Sequence, residues 1–431
     1  MNDFSPTITG ETLTAYRRLF HRHAETGMAE FWTTARIAEE LESFGLSPVI
    51  GERVSSPEAR MGVPSPDILH AAEERAAREG ASPVLLKRMN GVTGLVADIR
   101  PDLPVHTVFR FDIDAVDIQE SDDPGHAPAR EGFSSLHEGI SHACGHDGHM
   151  AVGLGLAHEL VRLRGALRHN VRLLFQPGEE GCRGARAMAA AGWLEGARHV
   201  LAAHIGMRAD KDHALVCGAC GFLATTKFDV AFTGRAAHAG AEPQKGANSL
   251  LAAASAVLNM HALPRHGDGD SRVTVGTLEA GSGRNIIPDH AQMRCETRGA
   301  TTAVNDYMFD HCRAILEHTA AMYEQQCRIR LMGGSDSADS DDAVIRIVRE
   351  EAAFVPWFRP ELILDRAPGF GSDDACVHMA AVQRQGGDAA YLMLGSHLAA
   401  GHHAPDFDFH ETVLLPSVEL LTRVVMRLDR S

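Results

Sequence analysis

The chain has 431 residues, 44% of them hydrophobic and 23% charged, the ordinary make-up of a soluble globular protein with two or three domains. Its 41 Lys and Arg against 57 Asp and Glu give a net charge of −16, and no basic stripe interrupts that balance, which argues against a polyanion partner. An acidic small molecule stays open if a few arginines gather locally. The opening MNDFSPTITGET lacks the basic start and apolar core of a signal peptide, and no apolar run reaches the length of a membrane span. Eight scattered cysteines do not resemble a disulfide framework, so a reducing, cytoplasmic setting is expected.

Apolar residues recurring at Leu13, Tyr16, Leu19 and Phe20 predict a helix over 11–23. A second is predicted over 30–44, with Phe31, Ala35, Ala38 and Leu41 inward and Gly45 as its stop. The segment 51–91 is polar, carries Pro57, Pro64 and Pro66, and includes a charged helical run over 67–79; it reads as a solvated excursion. Strands are expected at 94–99 and 106–113, a helix at 148–163, a buried strand at 171–175, a helix at 183–191 and a strand at 199–203. Strands alternating with helices indicate an α/β layer with a mainly parallel central sheet, whose sites lie beyond the strands' carboxyl ends.

After about residue 215 the order becomes strand (223–232), helix (248–261), two strands (272–278, 291–297), helix (303–323) and strand (328–332), a split βαβ, ferredoxin-like arrangement. A Gly/Ser/Asp-rich stretch over 333–342 leads back to helices at 341–354 and 373–384, a strand at 391–394 and a last helix at 412–428. The expectation is therefore an α/β domain formed by 1–215 and 333–431, interrupted by a smaller α+β domain over 216–332. Cys217-Gly218-Ala219-Cys220 has redox spacing, but no helix pattern follows it, and it reads as an accident of the junction.

Chemistry concentrates in Ser141-His142-Ala143-Cys144-Gly145-His146-Asp147-Gly148-His149. Thiolate, imidazole and carboxylate bind borderline transition metals, and glycines let the backbone fold tightly around an ion. Other polar residues fall at predicted strand ends or in loops: Glu179, Glu180, His204, His402 and His403. Two divalent ions need a set of this size, with a bridging ligand such as the Cys144 thiolate, plus a general base beside the shared water. Of two adjacent glutamates one can bind metal while its neighbour takes the water's proton.

The ordered motifs FRFDIDAVD, HACGHDGH, FQPGEEG, AAHIG, FTGRAAHAG, GSGRNIIP, ETRG and GHHAPDFDF resemble the dinuclear-metal amidohydrolases of the aminoacylase/carboxypeptidase clan, nearly end to end. RRLFHRHAETGMAEF, the 51–91 insertion with RMGVP, CGACGFLATTKFD and AAGHHAPDFDF resemble more narrowly one subunit type within the aminobenzoyl-glutamate hydrolase branch. The resemblance implies Cys144, His146, Glu180, His204 and His403 as ligands of two Mn2+ or Zn2+ ions, with Cys144 bridging and Glu179 as general base. His403 is chosen over His402 because the family ligand precedes a small or amide residue and then Pro. His238 is implied to reach the scissile carbonyl, in some relatives from the partner of a dimer, and Asn285 and Arg298 to hold the substrate carboxylate.

His142 and Asp147 are expected in orienting or structural roles behind the ligands, and Asp112 and Asp114 lie in a family motif but read equally as structural carboxylates at a strand end. The implied reaction is hydrolysis of p-aminobenzoyl-glutamate to p-aminobenzoate and glutamate. The alternatives are a broader N-acyl amino acid or hippurate hydrolase and a non-catalytic subunit. The partners implied are a second copy joined through the inserted domain or a related, non-identical subunit. Two departures stand out: QPGEE where the family has QPAEE, and Gly371-Ser372-Asp373-Asp374 where it has GSED.

Overall fold

The computed structural model describes residues 4–369 and 371–430. Helix α1 (Gly10–Arg22) is capped by the Thr9 side chain, which accepts the Thr12 amide, and α2 (Phe31–Ser43) follows. The two-residue strand β1 (Val49–Ile50) leads into the insertion, which holds α3 (Pro66–Arg78) and α4 (Pro83–Met89). The insertion is no solvated excursion. Ala72, Ala76, Leu85, Leu86 and Met89 are buried in the same core as Phe31 and Leu41 of α2. Seven-residue α4 was too short for its periodicity to show, although Pro83 at its start and left-handed Asn90 after its end mark it.

Next come β2 (Leu95–Asp98), β3 (Val105–Asp112), the short α5 (Ala127–Glu131), α6 (His146–Leu163) and β4 (Asn170–Gln176). Helix α7 (Ala185–Ala190), β5 (His199–Ile205) and β6 (Leu215–Cys220) complete the first pass. The chain then forms β7 (Ala224–Thr233), α8 (Ser249–His261), β8 (Ser271–Ala280), β9 (His290–Gly299), α9 (Thr302–Met322) and β10 (Gln326–Ser335). It returns through α10 (Asp342–Ala352), β11 (Ile363–Pro368), α11 (Ala375–Arg384), β12 (Asp388–Leu394) and α12 (Leu414–Leu428).

Two compact units result: Met1–Phe222 with Ala338–Ser431, and Leu223–Ser337. Both junctions fall later than the boundaries near 215 and 333, because β6 pairs with β12 and β11 in the larger unit, while β10 stays paired with β7 as far as Ser335. Cys217 and Cys220 thus lie on a sheet strand, and among the described residues no cysteine forms a disulfide. Among the described residues no helix is long and apolar enough to cross a membrane.

The larger unit is built on an eight-stranded sheet ordered β1-β2-β4-β3-β5-β12-β6-β11. Its centre, β4-β3-β5-β12, is parallel, and the antiparallel pairs are β1–β2, β2–β4 and β12–β6. Strand alternation splits its side chains between two cores. Phe109, Phe111, Leu173, Phe175 and Leu201 join one with Leu154 and Leu156 of α6, while Val108, Leu174, Val200 and Tyr391 join the other with Met379 of α11. The parallel centre brings Asp112, Gln176 and Ile205 to one edge of the sheet, where the polar residues gather. The smaller unit is an antiparallel sheet ordered β10-β7-β9-β8, with α8 and α9 sharing its apolar core.

Helix α6 carries glycines where helix propensity disfavours them, and close packing is the reason. A Cβ at Gly153 would lie 2.8 Å from Phe175 Cε1 and 2.9 Å from the Phe111 ring. Gly153→Ala is therefore expected to lower unfolding free energy in urea by about 1–3 kcal/mol, despite alanine's better helix propensity. A variant as stable as the parent would contradict that packing.

Candidate metal centre

Cys144 sits in the turn before α6, and His146 is that helix's first residue. Gly145 between them adopts φ 86°, the left-handed region that lets the chain reverse there. His146 Nδ1 donates to the Asp114 carbonyl at 2.8 Å, which turns Nε2 into the site. That nitrogen is buried without a hydrogen-bond partner, 3.8 Å from Asp112 Oδ2 and 3.9 Å from Glu179 Oε2. A buried lone pair so placed fits a cation, since buried polar atoms are otherwise satisfied.

The glutamates lie on the turn after β4. Glu30 accepts the Gly178 amide at 2.8 Å, and the two oxygens of Asp114 accept the amides of Glu179 at 3.1 Å and Glu180 at 2.9 Å. Gly178 has φ 61° and a Cβ there would lie 2.8 Å from Met28 Sδ, so the missing methyl of QPGEE matches this backbone and its neighbour. His204, on β5, donates from Nδ1 to the Ile205 carbonyl at 2.8 Å, leaving Nε2 3.5 Å from Cys144 Sγ. His403 is held at φ 66° by its amide bond to the Ala143 carbonyl at 2.7 Å, with Nε2 3.0 Å from Glu180 Oε1.

The donor atoms form overlapping triads, each drawn together within 4.8 Å: Cys144 with His146 and His204, Cys144 with Glu180 and His403, and His146 with Glu179 and Glu180. Cys144 is common to the first two, the position a bridging ligand takes. All five expected ligands and Glu179 are thus assembled, and the set suits two divalent ions. Burial raises the Cys144 thiol pKa, while burial and then the Asp373 and Glu180 charges raise Glu179 well above the carboxylate range. Burial opposes ionisation of Glu180 too, but His403 and His146 outweigh it and lower its pKa.

The neighbours have other work. His149 Nδ1 bonds Asp112 and its Nε2 accepts the Ile205 amide at 2.9 Å, and Asp112 also pairs with Arg110, so this trio braces the strand ends. Asp147 Oδ2 accepts from Arg17 Nε and pairs with His21 Nδ1, both at 2.8 Å, which ties the start of α6 to α1. His142 orients nothing by hydrogen bonding; neither ring nitrogen has a partner, and burial pushes its pKa down to about 3. His402 packs beside the His204 ring and bonds the Ile205 carbonyl at 3.2 Å.

Residues the motifs did not single out complete the surroundings. Arg110 meets Asp374 at 3.0 Å and Asp373 at 3.3 Å, and Tyr391 donates to Asp373 at 2.6 Å, which occupies the shortened carboxylate of GSDD. A cavity of about 710 Å³ opens on Cys144, Glu179, Glu180, His204 and His403, with Met207 and Arg208 in its wall. The only signal for the latter pair is their place just after a predicted buried strand.

In the smaller unit, His238 Nδ1 accepts the amides of Gly240 at 3.2 Å and Ala241 at 3.1 Å, so Nε2 carries the hydrogen. His238 pairs with Ile286 beside Asn285, whose carbonyl accepts the Ala239 amide at 3.0 Å. Arg298 is not with them. It lies opposite Thr225, at the other end of β9 from His290, and both its Nε and Nη2 bond Glu296. Eight residues of strand, roughly 26 Å, separate Arg298 from His290, and Asn285 lies beyond that.

The fold and this donor set define a metal-dependent hydrolase. The chain matches the peptidase family M20/M25/M40 over residues 108–427 and belongs to it. It is 44% identical to one subunit of the p-aminobenzoyl-glutamate hydrolase of Escherichia coli (strain K12), over 99% of this chain and 98% of that one. It is also 44% identical to the indole-3-acetyl-aspartic acid hydrolase of Enterobacter agglomerans, over 98% and 96%. The crystal structure of an aminobenzoyl-glutamate utilization protein from Klebsiella pneumoniae superposes with a TM-score of 0.82 at 39% identity, covering 97% of this chain and 95% of that one.

Asp114→Asn leaves one acceptor where two amides need one each, and sets an NH2 against an N–H. Amide hydrolysis is expected to fall about 10- to 100-fold in kcat/KM, the loss of one charge-assisted bond, with weaker metal retention. Parental activity and metal content in this variant would remove the role.

Proposed function

We propose that this protein hydrolyses the amide bond of an aryl-acyl glutamate such as p-aminobenzoyl-glutamate, releasing p-aminobenzoate and glutamate. The observation that carries the reading is Glu179, buried beside the triads that share Cys144. The names of the two relatives at 44% identity support the substrate class, since both describe an acyl group joined to a dicarboxylic amino acid. Because their acyl groups differ, a broader N-acyl amino acid hydrolase is the second reading.

Cys144, His146, Glu180, His204 and His403 would hold the two ions, and mixed thiolate, imidazole and carboxylate donors suit Zn2+ or Mn2+. When bound, the ions polarise the amide carbonyl and make the attacking water more acidic. Glu179 takes the proton of that water and returns it to the leaving nitrogen. His238, with hydrogen on Nε2, donates to the oxyanion. Arg298 exchanges Glu296 for the substrate's carboxylate, and Asn285 contributes to holding it.

Since Arg298 and the His238–Asn285 pair occupy opposite ends of one small sheet, we place them in two copies of a homodimer joined through this unit. The edge strand β8 and the exposed Leu250, Leu251 and Leu258 of α8 offer the surface for that contact. Relatives whose names describe one subunit of a hydrolase support a heteromer with a related chain as the other assembly. Cysteines that form no disulfide among the described residues accord with a cytoplasmic location.

The purified chain, loaded with Mn2+ or Zn2+, is expected to prefer p-aminobenzoyl-glutamate over hippurate and N-acetyl amino acids. Glu179→Gln should retain both ions by elemental analysis while kcat falls about 100- to 10,000-fold. Cys144→Ser should instead bind less metal. A turnover-competent Glu179→Gln enzyme would overturn the base assignment, and an undiminished metal content in Cys144→Ser would rule out a thiolate ligand. An inactive chain rescued by a second polypeptide would mark it as dependent on that partner.

A further inference from the structure

We infer that Arg208 selects the substrate by pairing with the side-chain carboxylate of its amino-acid half, which rests on the reading of this protein as an N-acyl amino acid hydrolase. The cavity over the candidate metal centre is large enough for such a ligand at about 710 Å³. Among the described residues lining it are four carboxylates, Glu179, Glu180, Asp210 and Asp373, and four histidines, with Arg208 as the only Lys or Arg. For a dianionic substrate entering that cavity, the ions aside, this guanidinium is the one permanently cationic side chain in the described lining. The ions serve the scissile amide, so a carboxylate several bonds away needs its own cation, and a planar fork gives it a bidentate partner.

The loop carrying Arg208 is built to hold it there. Gly206 and Met207 are successive left-handed residues, at φ 80° and φ 58°, and the methionine has no glycine's freedom to adopt that conformation cheaply. Ala209 is 2% exposed, its amide closes a turn onto the Gly206 carbonyl at 3.1 Å, and its carbonyl accepts the Ser396 amide at 3.1 Å. Asp212 accepts the His397 amide at 2.9 Å a little further on. Arg208 is thus an exposed side chain on a backbone pinned on both sides.

The test compares p-aminobenzoyl-glutamate with two analogues, p-aminobenzoyl-glutamine, whose side-chain carboxylate is an amide, and p-aminobenzoyl-isoglutamine, whose α-carboxylate is. The metal-loaded wild-type enzyme should favour the glutamate substrate over the glutamine analogue by about 100-fold in kcat/KM, the scale of a charge-assisted pair. Arg208→Gln should erase that preference by slowing the glutamate substrate alone, with unchanged metal content and unchanged discrimination at the α-carboxylate. Arg208→Lys, which keeps the charge but not the fork, should fall between. An equal loss on all three substrates, an unaltered preference, or a loss at the α-position instead overturns the assignment to Arg208 while leaving the function intact. A wild-type enzyme that cleaves none of the three overturns the functional reading and this inference together.

Discussion

Asp114 is the residue through which the candidate centre is set in register. Its carboxylate accepts the amides of Glu179 and Glu180, and its carbonyl accepts His146 Nδ1. Three segments distant in the chain, the end of β3, the turn after β4 and the start of α6, are thereby fixed to one side chain and its own backbone. Because the site is buried, each amide left unbonded costs about 1–3 kcal/mol, so the arrangement is specified rather than merely allowed. Glu30 performs the same service one residue earlier, at Gly178, and Thr93 donates to its other oxygen at 2.6 Å.

Around this anchor, buried charge is gathered at two arginines. Arg110 faces Asp112, Asp373 and Asp374, and Arg17 faces Asp147, Asp408 and Glu411. Both arginines are about 1% exposed, and a buried guanidinium is tolerable only where such partners satisfy it. The consequence differs at the two places. Arg17 ties α1 to Asp147 beside the candidate ligands and to the segment after His403. Arg110 gathers Asp373 and Asp374, the carboxylates grouped with Glu179. The groups Asp112-His146-His149 and Glu179-Asp373-Asp374 therefore look metal-like by distance, yet their members are largely spent on each other and on Arg110.

The donor set was legible because its residue types are rare in combination and fall at strand ends, and HACGHDGH with QPGEEG and GHHAP carried the assignment. The large elements were legible through periodicity: α6, α9 and the strands of the split βαβ unit. Strands β6 and β11 were not, since both lie beyond the parallel centre, and Cys217-Gly218-Ala219-Cys220 has the small residues that weaken any strand signal. The insertion misled because α3 shows water a charged face while burying only alanines, so its inward stripe is narrow. The positions of Arg298 and Asn285 were out of reach for a different reason: both satisfy their motifs, but only the register of β9 reveals that a strand's length separates them.

Backbone strain marks the same region that the side chains do. Non-glycine residues in the left-handed region include Met28, Cys182, Met207 and His403, and these four flank the Glu179–Glu180 turn, form the cavity wall or are themselves a candidate ligand. Such conformations cost on the order of 1 kcal/mol each and persist where surrounding contacts over-determine them. The contacts are present: Met28's amide donates to Glu30 at 2.9 Å, Cys182's to the Glu179 carbonyl at 2.6 Å and His403's to Ala143 at 2.7 Å. Two of these bonds close local turns, at Met28 and at Cys182, and the third joins the His403 loop to the turn before α6. Backbone shape thus contributes, alongside the side-chain bonds, to bringing the candidate donors together within 4.8 Å.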